Sequence, residues 1–222
     1  MKGKKMIRNL KVLGLAIAAV LALSAVMASA AMAAEFTASS YPATITGSNT
    51  KGSEVFKTEG GNVECNSHFV SHSQSAASST LTVTPTYTSC DAFGFLSATV
   101  NTEECSYVFH ATDTITETEP VHRHYWRHHV DVVCPTGQSI KVTASTCKAE
   151  IKSQTGLTTV KTENIAGGSV TVTPDVSGIA YTVTQDGFLC PFGGTGNKTD
   201  GKYTGDVTVS RVGGGSVSVS GS

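Results

Sequence analysis

Five of the chain's seven histidines fall within 105–134, CSYVFHATDTITETEPVHRHYWRHHVDVVC, a stretch with a cysteine at each end. Imidazole ligates zinc and copper and titrates close to neutral pH, so metal binding is the first chemistry to weigh. If 121–134 is one unbroken strand, His122, His124, Trp126 and His128 face one way. Arg123, Tyr125, Arg127, His129 and Asp131 then face the other. His122 and His124 are ~6.6 Å apart in that geometry and can share one Zn or Cu ion, while His128 lies ~13 Å from His124 and does not join them. A turn near Glu119-Pro120 puts Glu117 beside His122 as the third ligand and brings His110 near His129. The competing reading is a solvated strand end whose histidines do no more than titrate.

The aromatic residues of the same stretch suggest a second kind of site. Tyr125 and Trp126 are neighbours, so at least one ring is exposed unless a bulge or a second layer covers it. With His110 and His129 they form a candidate surface for a sugar or a protein. Tyr107 and Phe109 alternate on the preceding strand and read as core.

Catalytic frames are missing. The chain has no Gly-x-Ser-x-Gly elbow, no His-Glu-x-x-His helix, no Walker loop and no calcium-binding Asp repeat. His68 and His72 have helical zinc spacing but sit in a strand-like setting, ~13 Å apart. Gly193-Gly194-Thr195-Gly196 has no helix after it to complete a phosphate cradle, and Asn197-Lys198-Thr199 marks a surface loop. A hydrolase whose site assembles only in three dimensions is the remaining enzymatic alternative.

Six cysteines with no Cys-x-x-Cys pair predict three disulfides rather than a zinc site. The run from Cys90 to Phe109 is echoed from Cys134 to Ile151: cysteine, glycine turn, short strand ending in Val, polar turn, cysteine, strand. The echo predicts Cys90–Cys105 and Cys134–Cys147, which leaves Cys65–Cys190. The rival is the hairpin bridge Cys105–Cys134.

The elements that must carry these residues are strands. Thr, Ser, Gly and Val dominate, and no segment after the N-terminus has a 3.6-residue period. Strands are expected over 80–88, 97–101, 105–116, 121–134, 139–143, 147–151, 169–173, 179–184 and 203–212, with a turn at Gly60-Gly61. Pro85 should sit at an edge or a bulge. The fold expected is an all-β, antiparallel β-sandwich held by disulfides, as one sandwich or two fused β-subdomains. Its halves fall over 34–136 and 137–212, followed by a flexible Gly/Ser-rich tail over 213–222.

Ahead of them, 1–33 has the basic n-region, apolar run and Ala-x-Ala ending of a signal peptide. Its removal takes five basic residues and no acidic one, so the net charge goes from −1 to −6. A mildly acidic chain is a poor nucleic-acid binder. The mature protein is expected to be secreted, with no membrane insertion after signal removal.

CDAFGFLSATVNTEECSYVF, VDVVCPTGQSIKV and the two Thr-Val-Thr-Pro strands resemble secreted, cysteine-containing β-proteins of actinobacteria, over most of the mature chain. The resemblance implies export and the fold type, and no activity. The function expected is therefore non-catalytic: a secreted binding or structural protein whose partner is an extracellular ligand or cell-envelope component. Metal binding through His122 and His124 is the alternative.

Overall fold

The structure, a computed structural model, describes residues 34–49, 52, 54–117 and 123–221, with side chains for all of these except 113–117 and 123–124. The leader expected over 1–33 lies outside the described residues. So do His122 and the side chains of Glu117 and His124.

Fifteen strands and no helix make up the described chain. They are β1 (Glu35–Ala38), β2 (Ile45–Asn49), β3 (Val55–Thr58), β4 (Gly61–Ser71) and β5 (Thr80–Ala92). Then come β6 (Leu96–Asn101), β7 (Ser106–Glu117), β8 (Arg123–Val133), β9 (Ile140–Ala144) and β10 (Cys147–Ile151). The last five are β11 (Gln154–Ile165), β12 (Ser169–Gln185), β13 (Gly196–Thr204), β14 (Val207–Arg211) and β15 (Val217–Ser220). Their period-2 burial explains the choice of strand. In β5, Leu81, Val83 and Pro85 are buried while Thr80, Thr84 and Thr86 are exposed. In β9 and β10 the buried set is Ile140, Val142, Ala144, Cys147, Ala149 and Ile151.

The architecture is an all-β, antiparallel sandwich whose layers are joined by shared strands. Neighbour by neighbour, β4, β5, β7, β8, β11, β12, β13 and β3 return to β4, a closed eight-strand circuit. Closure leaves these strands no long free edge. The longest strands make it work by changing partners along their length. β12 pairs β11 through Ser169–Pro174 and β10 through Thr182–Gln185, so the two strands expected over 169–173 and 179–184 are one. Gly178, at φ +75, absorbs the irregularity between them. β5 passes from β7, up to Val83, to β6, from Cys90. Pro85 sits in the stretch that neither partner takes, where its missing N–H costs no ladder bond.

The turn expected at Gly60-Gly61 joins β3 to β4. It must be glycine at residue 60, because a Cβ there would stand 2.5 Å from the Gly193 nitrogen. The larger core draws Val63, Ala98 and Val132 from before residue 137 and Ile140, Val160 and Val183 from after it. In the tail expected to be flexible, β15 pairs β1 and buries Val217 and Val219.

The disulfides are Cys65–Cys90, Cys105–Cys134 and Cys147–Cys190, with Cα separations of 4.1, 4.1 and 5.3 Å. The expected pairs Cys90–Cys105, Cys134–Cys147 and Cys65–Cys190 are all overturned, and the rival hairpin bridge is the one formed. The sheet order is the reason. β7 returns to the far end of β5, with Tyr107 opposite Val83. Cys105 is thereby level with residue 85, roughly 17 Å along the strand from Cys90. Cys90 instead faces Cys65 across the β4–β5 ladder.

Candidate functional site

Phe56, Phe69, Tyr87, Tyr107, Phe109 and Tyr203 pack against the core yet remain only partly buried. All six line a partly open cavity of about 180 Å³ between the layers. Valines, isoleucines and leucines of the other strands make up most of the rest of its wall. Gly47 is part of that lining, and a Cβ there would come within 2.6 Å of a Val209 methyl. An eight-strand circuit encloses about the space that core side chains or one small ligand can fill. Here the side chains do not fill it.

Apart from the hydroxyls of the three tyrosines and of Thr46, Thr162 and Ser218, the lining is apolar except for the carboxyl of Glu54. This residue leads into β3 and is 3% exposed. Tyr203, next to β3 on β13, donates its hydroxyl to Glu54 Oε2 at 2.8 Å. The Tyr87 hydroxyl of β5 lies 3.4 Å from that of Tyr203 and 2.8 Å from that of Tyr107 on β7. Burial pushes the Glu54 carboxyl above its ordinary value, and hydrogen bonds from Ser67 and Tyr203 pull it part of the way back. Burial raises the three phenols too, Tyr107 to about 12, so they stay protonated at neutral pH. The result is a chain of hydroxyls that can pass every proton toward one carboxyl.

The histidine hairpin is arranged differently. His110 and His129 are cross-strand partners, as expected, with rings stacked at 4.4 Å and 10°. His110 Nε2 lies 3.0 Å from Asp131 Oδ2, and Asp131 Oδ1 accepts the Gly156 N–H at 2.7 Å. His128 is buried at 2% exposure, its Nε2 2.6 Å from the Thr162 hydroxyl and its ring 5.1 Å from that of Phe36. Burial lowers its pKa to about 4, so it does not titrate with surface histidines near 6.5.

Trp126 and Tyr125 are both buried, at 9% and 7%. The exposed ring expected from the pair is absent: Trp126 joins the smaller core and Tyr125 lies under the Lys161 ammonium, 4.7 Å from its ring centre. The register sets Glu117 across from Arg123 and Thr116 across from His124. Among the described residues, no three His, Cys, Asp or Glu side chains are placed to hold a metal ion. The expected ligand set of His122, His124 and Glu117 lies outside the described side chains. His68 reaches the Thr46 hydroxyl at 3.1 Å, on strand β4 as its setting suggested.

The period-2 pattern points Tyr107 toward the core, against which it packs, whereas the sequence singles out none of Glu54, Tyr87 and Tyr203. Tyr87 continues the inward parity of Leu81, Val83 and Pro85, which was a usable signal. Glu54 had none, since a lone acidic residue ahead of Val55-Phe56 looks like any solvated turn. The chain matches no protein-family model, no curated protein and no solved structure.

Proposed function

We propose that this is a secreted, non-catalytic binding protein that holds one small apolar molecule inside its sandwich. The observation that carries the reading is the unfilled, almost wholly apolar cavity within a closed strand circuit. A void of this kind normally costs stability, because its lining atoms lose contacts that a filled core would have. An engineered apolar cavity of about 150 Å³ stays dry and takes up benzene, so one of about 180 Å³ accommodates a molecule of slightly more atoms. Burying roughly 200 Å² of such a ligand, at about 25 cal/mol per Å², gives about 5 kcal/mol and sub-millimolar affinity. Three disulfides suit an oxidising compartment, no described helix is long and apolar enough to cross a membrane, and the leader-like 1–33 supports export.

Toluene titration followed by NMR tests the reading. Saturable shifts are expected at Val63, Val130 and Val142, all on the wall. Val130→Phe, which fills the space, should abolish them while the protein stays folded. Shifts that never saturate, or that survive Val130→Phe, reject an internal site.

A further inference from the structure

We infer that the occupant is an amine: a compact apolar molecule carrying one ammonium group, held against the Glu54 carboxylate. This rests on the cavity being the ligand site, as proposed above, and concerns what that site selects.

Three observations point to a cation. The first is the carboxyl itself. Glu54 lines the cavity, is buried, and has no Lys, Arg or His partner among the described residues. Buried carboxylates are ordinarily paired, and a ligand ammonium would supply the missing partner. Second, the polar groups around it favour a donor. The hydroxyls of Tyr107, Tyr87 and Tyr203 can each donate to the next and finally to Glu54, which leaves their lone pairs and the second carboxylate oxygen to accept. An ammonium has three N–H bonds to give and nothing to accept with. Third, the same end of the cavity is lined by aromatic rings. Phe69 packs edge-on to Tyr87, with centroids 6.1 Å apart, and lies 6.4 Å from Tyr107. The faces of such rings attract cations.

The lining also says what is refused. No Lys, Arg, His, Asn or Gln of the described residues lines the cavity. A carboxylate or phosphate entering it would meet Glu54 and no positive charge. Fatty acids and other anionic amphiphiles are therefore the wrong class, and a neutral hydrocarbon would leave the carboxyl unpaired.

Three ligands of one shape separate the claims: toluene, benzylamine (protonated at pH 7) and benzoate, titrated by calorimetry into the mature protein at pH 7. Benzylamine is expected to bind about tenfold or more tightly than toluene, as a charge-assisted hydrogen bond allows, and benzoate not at all. Glu54→Gln should bring benzylamine to the level of toluene, and a cooperative urea transition reports that the variant folds. Tyr203→Phe should reduce the preference by about threefold. If toluene binds and benzylamine binds no better, or if Glu54→Gln keeps the preference, the amine assignment fails and the cavity reading stands. If no ligand binds, both fail together.

Discussion

Glu54 and His128 are both titratable and both buried, at 3% and 2% exposure, yet they have opposite roles. His128 hydrogen-bonds Thr162 and packs near Phe36, two residues of the cavity wall, but does not itself line the cavity. It stands behind the wall rather than on it, so it is a polar group absorbed into structure. Glu54 has hydrogen bonds of similar quality on one side and unfilled space on the other. A buried ionisable group marks a site when it borders a void, because only then can another molecule reach it. Burial and a shifted pKa alone do not make that distinction.

The contrast can be broken by mutation, and the largest effect should come from the packed member. His128→Ala removes a buried ring and strands the Thr162 hydroxyl, so it should destabilise by about 3 kcal/mol in urea denaturation while toluene binding is retained. A loss of binding that matches the loss of stability would mean that His128 also shapes the cavity.

The pH dependence comes next, and the two groups act with opposite sign. Between pH 6.5 and about 4 the unfolded chain protonates His128 and the folded chain does not, so stability falls with pH across that window, by up to about 3 kcal/mol. Glu54 is raised, so the folded chain takes up its proton first and its contribution rises as pH falls through the folded value. Denaturation at pH 7, 5.5 and 4.5 should show a net loss in the parent and a flatter profile in His128→Leu. Equal slopes in the two proteins would remove His128 from the account.

The smallest effect on stability is expected at the site. Glu54→Gln keeps an oxygen for the Tyr203 hydroxyl and removes a buried charge, so a change within about 1 kcal/mol of the parent is expected by thermal denaturation. A loss of several kcal/mol would show that the carboxyl holds the sandwich together, and its resemblance to His128 would then be closer than argued.

Much of the frame could be read from the residues in order. β10 falls on its expected residues, 147–151, and β6, β7, β8 and β9 each agree to within two residues at either end. Local alternation and turn residues determine these, and both are visible in a short window. The repeated cysteine units are real as structure: β6 and β9, their matching strands, lie side by side, with Val100 opposite Val142. What they could not reveal is which cysteine meets which, because that depends on where β7 and β12 dock in the sheet. β11 is not legible in the sequence, because its burial is irregular and its pairing to β8 is interrupted twice. The site was illegible for a related reason. Glu54, Tyr87, Tyr107 and Tyr203 are brought together by four different strands or their ends, and no spacing along the chain encodes their meeting. The histidines, conspicuous in sequence, drew attention to a hairpin whose described face is largely core.

The bridges join the first cysteine to the second, the third to the fourth and the fifth to the sixth. No loop encloses or crosses another. A chain emerging N-terminus first always presents each cysteine's partner as the next one along, so oxidation can keep pace with emergence. Each covalent loop closes before the following one begins, and none has to be reopened to complete the set. By contrast the ladder that closes the strand circuit, between β3 and β13, joins residues near 56 to residues near 203 and waits for almost the whole chain. The covalent order of assembly is thus sequential, and the enclosure of the cavity comes last.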